Sequence, residues 1–467
     1  MLPKIALVGR PNVGKSTLFN ILTRSRDALV ADYPGLTRDR KYGAATLEDR
    51  KCIIIDTGGL MEKTTNSITE KTSGQAWIAI EEADVVVFLL DARAGLTPDD
   101  EEIAKRLRRT GKVILPVVNK MDGLDENSVK SDFYKLGFNE PEAIAAAHRR
   151  GTGQLAETIF ELLPPLDADN QFDLTDRLNV AVIGRPNVGK STLINRIIGE
   201  ERLMALDHPG TTRDAIDVET EWKGRDLVMV DTAGIRRRGK VSEMVEKFTA
   251  LKSLEAIERS RVTILMVDAT DGIVDQDSHL LGQILRAGKA FIVAVNKWDG
   301  LSHDQRDQAM KSVERKLSFV PYVVVRKISA LHGSGLTGLM DEVFKASESA
   351  SIDVTSNKLT YILQQATQHH QPPMSQGRTA KLRFAHLGGH DPIRIIIHGR
   401  KTKSIPESYK RYLANHFRTE LKLTATPLAL IFKETENPFE GKKKDLSDAH
   451  MKRKMRKTAK NKKKFSN

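Results

Sequence analysis

The chain has 467 residues, a net charge of +13 and a single cysteine. Its length suggests about three domains of roughly 150 residues each, and one cysteine excludes an internal disulfide framework, so we interpret Cys52 as a small core residue. No apolar run approaches the ~18 residues of a membrane span and the first motif leaves no room for a signal peptide, so we expect a cytoplasmic protein.

The first predicted strand, KIALV at 4–8, leads directly into the ten residues GRPNVGKSTL. The pattern G-x-x-x-x-G-K-[ST] between a strand and a helix is typical of a loop that surrounds phosphate with backbone N–H groups. Lys15 would reach the β- and γ-phosphates, and Ser16 would place its hydroxyl on Mg²⁺. The loop residues predicted to bind nucleotide are Gly9, Arg10, Pro11, Asn12, Val13, Gly14, Lys15 and Ser16.

Three more apolar runs follow, at 52–55, 85–90 and 113–118, and they alternate with helical patterns. Runs buried on both faces predict a parallel sheet in a doubly wound α/β domain, whose ligands lie at the carboxyl ends of the strands. Asp56 follows the second run and would hold Mg²⁺, while Gly59 would donate its N–H to the γ-phosphate. This motif comprises Asp56, Thr57, Gly58, Gly59 and Leu60.

Two further motifs complete the predicted site of the first half. Thr37, in PGLTRD, would close over Mg²⁺ and the γ-phosphate. Asp122 would accept from the N1–H and the exocyclic amine of guanine, which selects GTP over ATP. Lys120 would lie along the base, and Asn119 would connect its loop to the phosphate loop. The residues of this guanine motif are Asn119, Lys120, Met121 and Asp122.

After an acidic linker at 164–177, the same ten residues recur at 184–193, and strands are predicted at 178–183, 227–230, 262–267 and 291–295. The matching motif spacings predict a second GTP site. Its residues are Gly184, Arg185, Pro186, Asn187, Val188, Gly189, Lys190, Ser191, Thr212, Asp231, Thr232, Ala233, Gly234, Ile235, Asn296, Lys297, Trp298, Asp299, Ser329 and Ala330.

The closing loops of the two halves differ slightly. The N–H near Ala330 would contact the guanine O6, whereas the first half has Ile144-Ala145-Ala146 and lacks the serine. We interpret His148 and His332, which follow these loops, as loop residues and not metal ligands. Across both halves, the predicted Mg²⁺ ligands are Ser16, Thr37, Asp56, Ser191, Thr212 and Asp231.

The C-terminal region is strongly basic. Residues 357–467 contain 25 Lys/Arg and 8 Asp/Glu, a charge of +17, so the rest of the chain sums to −4. Helical and strand patterns follow in the order α–β–β–α–β, which resembles a KH domain. The tail at 440–467 carries +9 of the total charge of this region. Such charge indicates a nucleic-acid partner.

Together these motifs resemble the Der family, also called EngA, of bacterial GTPases, over nearly the whole chain. The resemblance implies GTP and GDP as ligands, and a monomer that assists assembly of the large ribosomal subunit and binds its rRNA. The implied fold is two tandem doubly wound P-loop GTPase domains, a small α+β KH-like domain and a basic tail. We place the G domains at 1–163 and 178–350, the KH-like domain at 351–439 and the disordered tail at 440–467.

The resemblance also bears on mechanism. Ras-type enzymes orient the attacking water with a Gln after the DxxG glycine, but Leu60 and Ile235 stand there. Relatives with asparagine in the phosphate loop use it to hold K⁺, so Asn12 and Asn187 imply K⁺-stimulated hydrolysis; the alternative is that they only cap or tie the loop. The residues expected to be catalytic, through positioning and charge neutralisation, are Lys15, Thr37, Lys190 and Thr212.

Three alternatives stay open on the sequence alone. One G domain could be a static scaffold while the other hydrolyses GTP. The loop Gly388-Gly389-His390-Asp391 is not the GXXG clamp of KH domains, so this domain could dock on folded RNA or on a G domain. A membrane-remodelling GTPase is disfavoured, because the tail lacks interleaved Leu, Trp and Phe and any lipidation motif.

Overall fold

The computed structural model describes residues 2–23, 42–48, 50–57, 77, 79–164, 177–199, 217–230, 244–375 and 378–434. The predicted linker, apart from its first and last residues, and the predicted tail lie outside this part of the chain. The chain divides into two compact units. The first comprises Met1–Asp353, Gly388–Arg394 and Leu421–Ala429, and the second comprises Val354–Leu387, Ile395–Glu420 and Leu430–Asn467.

The first half of the chain forms a six-stranded sheet. Its strands are β1 (Lys4–Val8), β2 (Tyr42–Leu47), β3 (Arg50–Asp56), β4 (Val85–Asp91), β5 (Val113–Asn119) and β6 (Glu142–Ala143). The helices are α1 (Lys15–Thr23), α2 (Pro98–Arg108), α3 (Glu126–Phe133) and α4 (Thr152–Leu162). The strand order is β2-β3-β1-β4-β5-β6, and every pair is parallel except β2 with β3. This is the predicted doubly wound arrangement.

The second half repeats this topology. Its strands are β7 (Leu178–Gly184), β8 (Val218–Trp222), β9 (Arg225–Val230), β10 (Val262–Asp268), β11 (Ala290–Asn296) and β12 (Val324–Lys327). The helices are α5 (Lys190–Ile198), α6 (Met244–Arg259), α7 (Asp275–Ala287), α8 (His303–Leu317) and α9 (Leu336–Ala350). The order β8-β9-β7-β10-β11-β12 matches the first sheet strand for strand, and again only the outermost hairpin is antiparallel.

Both faces of each sheet are covered, which explains why the strands are continuously apolar. Along β1, Ile5 and Leu7 belong to one core cluster, and Ala6 and Val8 belong to another on the opposite face with Phe88. Burying one large apolar side chain contributes about 1.5–3 kcal/mol. The central strands are therefore held firmly from both sides, and this fixes the positions of their carboxyl ends.

The apolar runs in the sequence did not predict the strands at the edges of the two sheets. In these two sheets, the strands without a predicted counterpart are β2, β6, β8 and β12, and each is the outermost strand of its sheet. Along β8, Val218 and Thr220 are buried while Glu219 and Glu221 are exposed. An edge strand covered on one face alternates between apolar and polar residues, so it lacks the continuous run that marks the central strands.

The C-terminal region has the predicted α–β–β–α–β order with an added short hairpin. Its elements are α10 (Ser356–His369), β13 (Met374–Ser375), β14 (Arg378–Thr379), β15 (Lys381–Gly389), β16 (Ile393–Arg400), α11 (Glu407–Glu420) and β17 (Leu428–Glu434). The last three long strands form a sheet in the order β15-β16-β17. The two helices meet where the Tyr412 hydroxyl donates to the Ala366 carbonyl at 2.9 Å. Within the described residues, no helix is long and apolar enough to span a bilayer.

The loop between β15 and β16 contacts the second G domain. Asp391 has a φ of 54°, and its carboxylate accepts from Nζ of Lys289 at 2.7 Å. The Lys289 side chain is 1% exposed, so this carboxylate neutralises a buried cation. Both residues belong to the first compact unit, so the two docking roles left open by the sequence stay predictions.

Candidate nucleotide-binding sites

The two phosphate loops join β1 to α1 and β7 to α5. Gly14 has a φ of 103°, and a Cβ added there would lie 2.3 Å from Nδ2 of Asn119. Gly189 has a φ of 98°, and its Cβ would lie 2.4 Å from Nδ2 of Asn296. Only glycine fits both this backbone and this close approach. Each loop is therefore packed directly against the asparagine of its own guanine motif.

Each loop lysine folds back over its own loop. Nζ of Lys15 donates to the carbonyls of Gly9 at 2.8 Å and Arg10 at 2.7 Å. In the second half, Nζ of Lys190 donates to Gly184 at 2.8 Å and to the next carbonyl at 2.6 Å. Both lysines also begin a helix, where the helix dipole favours an anion. A phosphate entering either loop therefore meets an ammonium group that is already positioned.

Burial changes the protonation of these two lysines. It lowers the pKa of Lys15 to about 8, against an opposing effect of Asp56. It likewise lowers the pKa of Lys190 to about 8, against an opposing effect of Asp277. A phosphate beside Nζ favours the charged form and raises the pKa again. Nucleotide binding should therefore be coupled to proton uptake at mildly alkaline pH.

We expect binding of GDP at pH 8 to take up about one proton per chain, about half a proton at each of two sites. Below pH 7 both lysines are already charged and the uptake disappears, whereas above pH 8 affinity falls as pH rises. Titration calorimetry in buffers of different ionisation enthalpy measures the uptake. The K15A variant should show about half of it, and identical heats in all buffers at pH 8 would refute the coupling.

Ser16 and Asp56, two predicted Mg²⁺ ligands, lie side by side. The Ser16 hydroxyl donates to Oδ2 of Asp56 at 2.8 Å, and Asp56 is 2% exposed. A hydroxyl and a carboxylate are oxygen ligands of the kind that Mg²⁺ binds. The residues present thus fit this ion. In the second half Ser191 is exposed at the equivalent position of its loop.

Several residues predicted to bind nucleotide have side chains that serve the fold. Thr57 is fully buried, and its hydroxyl donates to the Leu7 carbonyl at 2.6 Å. Val13, Val188 and Met121 are buried as well. Any contact they make with nucleotide would come from the backbone. In contrast, the residues exposed at the phosphate loops are Pro11, Asn12, Ser16, Pro186, Asn187 and Ser191.

The asparagines of the guanine motifs connect three loops. Nδ2 of Asn119 donates to the Val13 carbonyl at 2.8 Å, and its Oδ1 accepts from the Ala146 N–H at 3.0 Å. Asn296 makes the matching bonds to Val188 and to the Ala330 N–H, both at 2.8 Å. The Ala330 N–H, predicted to contact the guanine O6, is therefore already used to hold the loop, and the O6 contact stays a prediction.

The motif lysines are held at the edge of the same site. Nζ of Lys120 lies 2.6 Å from Asp91, and Nζ of Lys297 lies 2.6 Å from Asp268. Beside Lys297, the Trp298 ring carries a different cation, Lys327, whose Nζ lies 4.8 Å from the ring centroid. Both motif lysines are in the left-handed region, with φ of 68° and 63°. This backbone turns each motif after its strand, so that the following aspartate lies beyond the strand end.

The two carboxylates predicted to read guanine, Asp122 and Asp299, each face a histidine. Nε2 of His148 lies 3.5 Å from Asp122, and Nε2 of His332 lies 3.3 Å from Asp299. A hydrogen bond from Ser329, with a smaller effect of His332, lowers the pKa of Asp299. The histidines were predicted as plain loop residues. Their contact with the aspartates was missed because it joins residues far apart in the chain.

The loop arginines, predicted among the nucleotide-binding residues, direct their side chains to buried aspartates. Nε of Arg10 lies 3.2 Å from Asp100, and Nε of Arg185 lies 3.2 Å from Asp277. Both aspartates are fully buried near the first turn of α2 and α7. The arginines thus fasten each phosphate loop to the neighbouring helix. An Asp at matched spacing in both halves was the available sequence signal.

The candidate K⁺ residues occupy strained positions. Asn12 has a φ of 66° and Asn187 a φ of 65°. Among residues with a side chain, asparagine tolerates this region best, so the loop conformation alone accounts for its presence. The site residues that lie outside the described part of the chain are Thr37, Gly58, Gly59, Leu60, Thr212, Asp231, Thr232, Ala233, Gly234 and Ile235.

Comparisons with known proteins agree with this geometry. Residues 4–120 and 179–297 match the family described as 50S ribosome-binding GTPase. Residues 354–433 match the KH-domain-like family of the C-terminal region of EngA bacterial GTPases. The chain is 49% identical to GTPase Der of Acinetobacter baumannii over 100% of both chains. It is 52% identical to GTPase Der of a Marinomonas species over 95% of this chain and 100% of the relative.

The first two matched regions each contain five strands of a sheet, its phosphate loop and the start of its guanine motif, and the third covers the described C-terminal elements up to residue 433. Both the prediction of a P-loop GTPase repeat and that of a KH-like domain are confirmed. The similarity extends over the full length of this chain and of the relative. The chain therefore belongs to the Der family of GTPases, enzymes that hydrolyse GTP.

Proposed function

We propose that this GTPase is a nucleotide-switched assembly factor of the large ribosomal subunit, which binds rRNA through its basic C-terminal region. The observation that carries the proposal is the charge distribution, +17 over residues 357–467 against −4 over the remainder. A cationic region of this size attracts the phosphate backbone of RNA. The family description, 50S ribosome-binding GTPase, supports the large subunit as the target. We place the protein in the cytoplasm as a monomer.

The positions of the phosphate-loop residues support the hydrolytic roles that we propose for them. Lys15 and Lys190 would neutralise charge that develops on the β–γ bridge. Ser16 and Asp56, with Thr37, would hold Mg²⁺, and the second site would use Ser191, Asp231 and Thr212. When bound, Mg²⁺ supplies additional neutralisation of the phosphates. No step requires a side-chain base, so these residues would act by positioning and by electrostatics.

K⁺ would stimulate this hydrolysis through Asn12 and Asn187. We expect faster turnover in KCl than in NaCl at equal ionic strength. Replacing each asparagine by glycine keeps the left-handed backbone and removes the side-chain oxygen, so the double variant N12G/N187G should lose the difference between the two salts. Equal rates in both salts for the unmodified protein would overturn this role, and an undiminished difference in the variant would assign it to other residues.

The ribosomal role is tested by sedimentation with GDP, GTP or a non-hydrolysable analogue. We expect co-migration with large subunits in only one nucleotide state. Deletion of 440–467 removes a charge of +9, so it should weaken subunit binding and make the dependence of log K on log salt shallower, by ~0.7–0.9 per lost phosphate contact. Binding that is unchanged in strength and salt dependence would contradict the role of the tail.

A further inference from the structure

A row of three parallel rings lies on the C-terminal sheet. The centroids of Phe384 and His398 are 4.4 Å apart with planes inclined by 10°. Those of His386 and His398 are 5.1 Å apart at 24°, and those of Phe384 and His386 are 6.3 Å apart at 24°. Near-parallel rings at these distances stack on one another. We call these three residues the ring row.

The ring row lies on the face of the sheet opposite the helices. Its neighbour Ala385 is fully buried, and the hydroxyl of Thr360 on α10 bonds to the Ala385 backbone. Successive strand residues point to opposite faces, so Phe384 and His386 point away from α10. Phe384 is 42% exposed, and Ile431 on β17 is 38% exposed. An exposed aromatic ring such as Phe384 is available for contact with a partner.

The charges around the ring row are positive. Partial burial lowers the pKa of His398, and the nearby His386 and then Lys433 lower it further. Arg400 is exposed at the end of β16. It lies two residues after His398, so both side chains point to the same face of the sheet. The one acidic residue of β15, β16 and β17 is Glu434, which is exposed at the end of β17 and alternates with the outward Lys433. The face therefore combines stacked rings with cations.

We propose that the ring row is a stacking site for an unpaired RNA base, with Lys433 and Arg400 contacting the adjacent phosphates. This inference rests on the proposed binding of RNA by the C-terminal region and assigns a site within it. Aromatic rings stack with any base through its π-face, and flanking cations hold the backbone. The rings would select single-stranded over fully paired RNA, because bases inside a duplex cannot reach a ring on a sheet.

The test measures binding of full-length protein to a single-stranded oligoribonucleotide and to a duplex of equal length by fluorescence anisotropy. Loss of one base–aromatic stack costs about 5- to 100-fold in affinity. F384A and F384L should lose this much for the single strand and nothing for the duplex, whereas F384W should retain binding. The matched control is Y361A, since Tyr361 on α10 is 61% exposed and lies outside the ring row.

The outcomes separate the site from the proposed function. If the unmodified protein bound neither RNA, the proposed RNA binding would fail. If it bound RNA but F384A and Y361A behaved alike, or if F384L retained affinity as an apolar contact would, the stacking site would be wrong while RNA binding stood. Circular dichroism and thermal melting of each variant check that the exposed substitution leaves the fold intact.

Discussion

Replacing Lys15 by alanine should slow GTP hydrolysis at the first site by about 10²- to 10³-fold and leave the second site active, and K190A should do the reverse. Each ammonium is held by two carbonyls of its loop, directly where a phosphate would bind. Removing a preorganised cation or donor from a site where charge develops costs about 10²- to 10³-fold in rate. Single-turnover hydrolysis at saturating GTP, for each variant and for the double variant, measures both losses.

The exposed Lys105 on α2 supplies a matched control, since K105A removes a lysine of the same half without touching the loop. Turnover that vanishes in one single variant and persists fully in the other would establish a static scaffold and a single hydrolase. Full activity in the double variant would contradict the roles assigned to both lysines. Two partial losses that sum to the whole would show that both G domains hydrolyse GTP.

Replacing Asp122 or Asp299 by asparagine should remove guanine recognition from one site at a time. A carboxylate accepts from both the N1–H and the amine of guanine, whereas an amide offers one acceptor and one donor that faces the amine. Hydrogen bonds to charged groups contribute about 1.5–3 kcal/mol each, so affinity for GDP should fall by about 10²- to 10⁴-fold at that site. Equilibrium titration with fluorescent GDP, with the other site blocked by its lysine variant, measures it.

Xanthine nucleotide is the control ligand for this exchange, because it carries an oxygen where guanine has the amine. The new amide N–H can donate to that oxygen, so D122N and D299N should bind xanthosine diphosphate better than the unmodified site does. Affinities for guanine that stay within about threefold of the original would show that neither aspartate reads the base. Weak binding of both nucleotides would indicate that the substitution has disrupted the loop of the guanine motif, which Asn119 or Asn296 connects to the phosphate loop.

The central strands and the phosphate loops could be predicted because their signals are local. A strand such as β4 is buried on both faces and must be apolar throughout, and the glycine at Gly14 is required by a backbone angle and a close approach. The doubled motif set then fixed the order of elements in both halves. The KH-like order was likewise visible from periodicity and charge.

The contacts that could not be predicted all depend on tertiary proximity. Arg10 belongs to the phosphate loop by sequence, yet its guanidinium pairs with Asp100, which is 90 residues away. His148 faces Asp122 only because two loops end at the same edge of the sheet. The Lys289–Asp391 pair spans 102 residues. Contacts between residues so far apart in the chain produce no periodic pattern in the sequence. They form only because the folded sheets bring the loops together.

The central claim is that each chain carries two complete guanine-nucleotide sites, and counting bound nucleotide tests it most directly. Purified, nucleotide-free protein should be titrated with radiolabelled GDP, and separately with ADP, under conditions of excess Mg²⁺. The account predicts two GDP molecules bound per chain and no saturable binding of ADP. A stoichiometry of one GDP per chain, or ADP binding as tight as GDP binding, would contradict it.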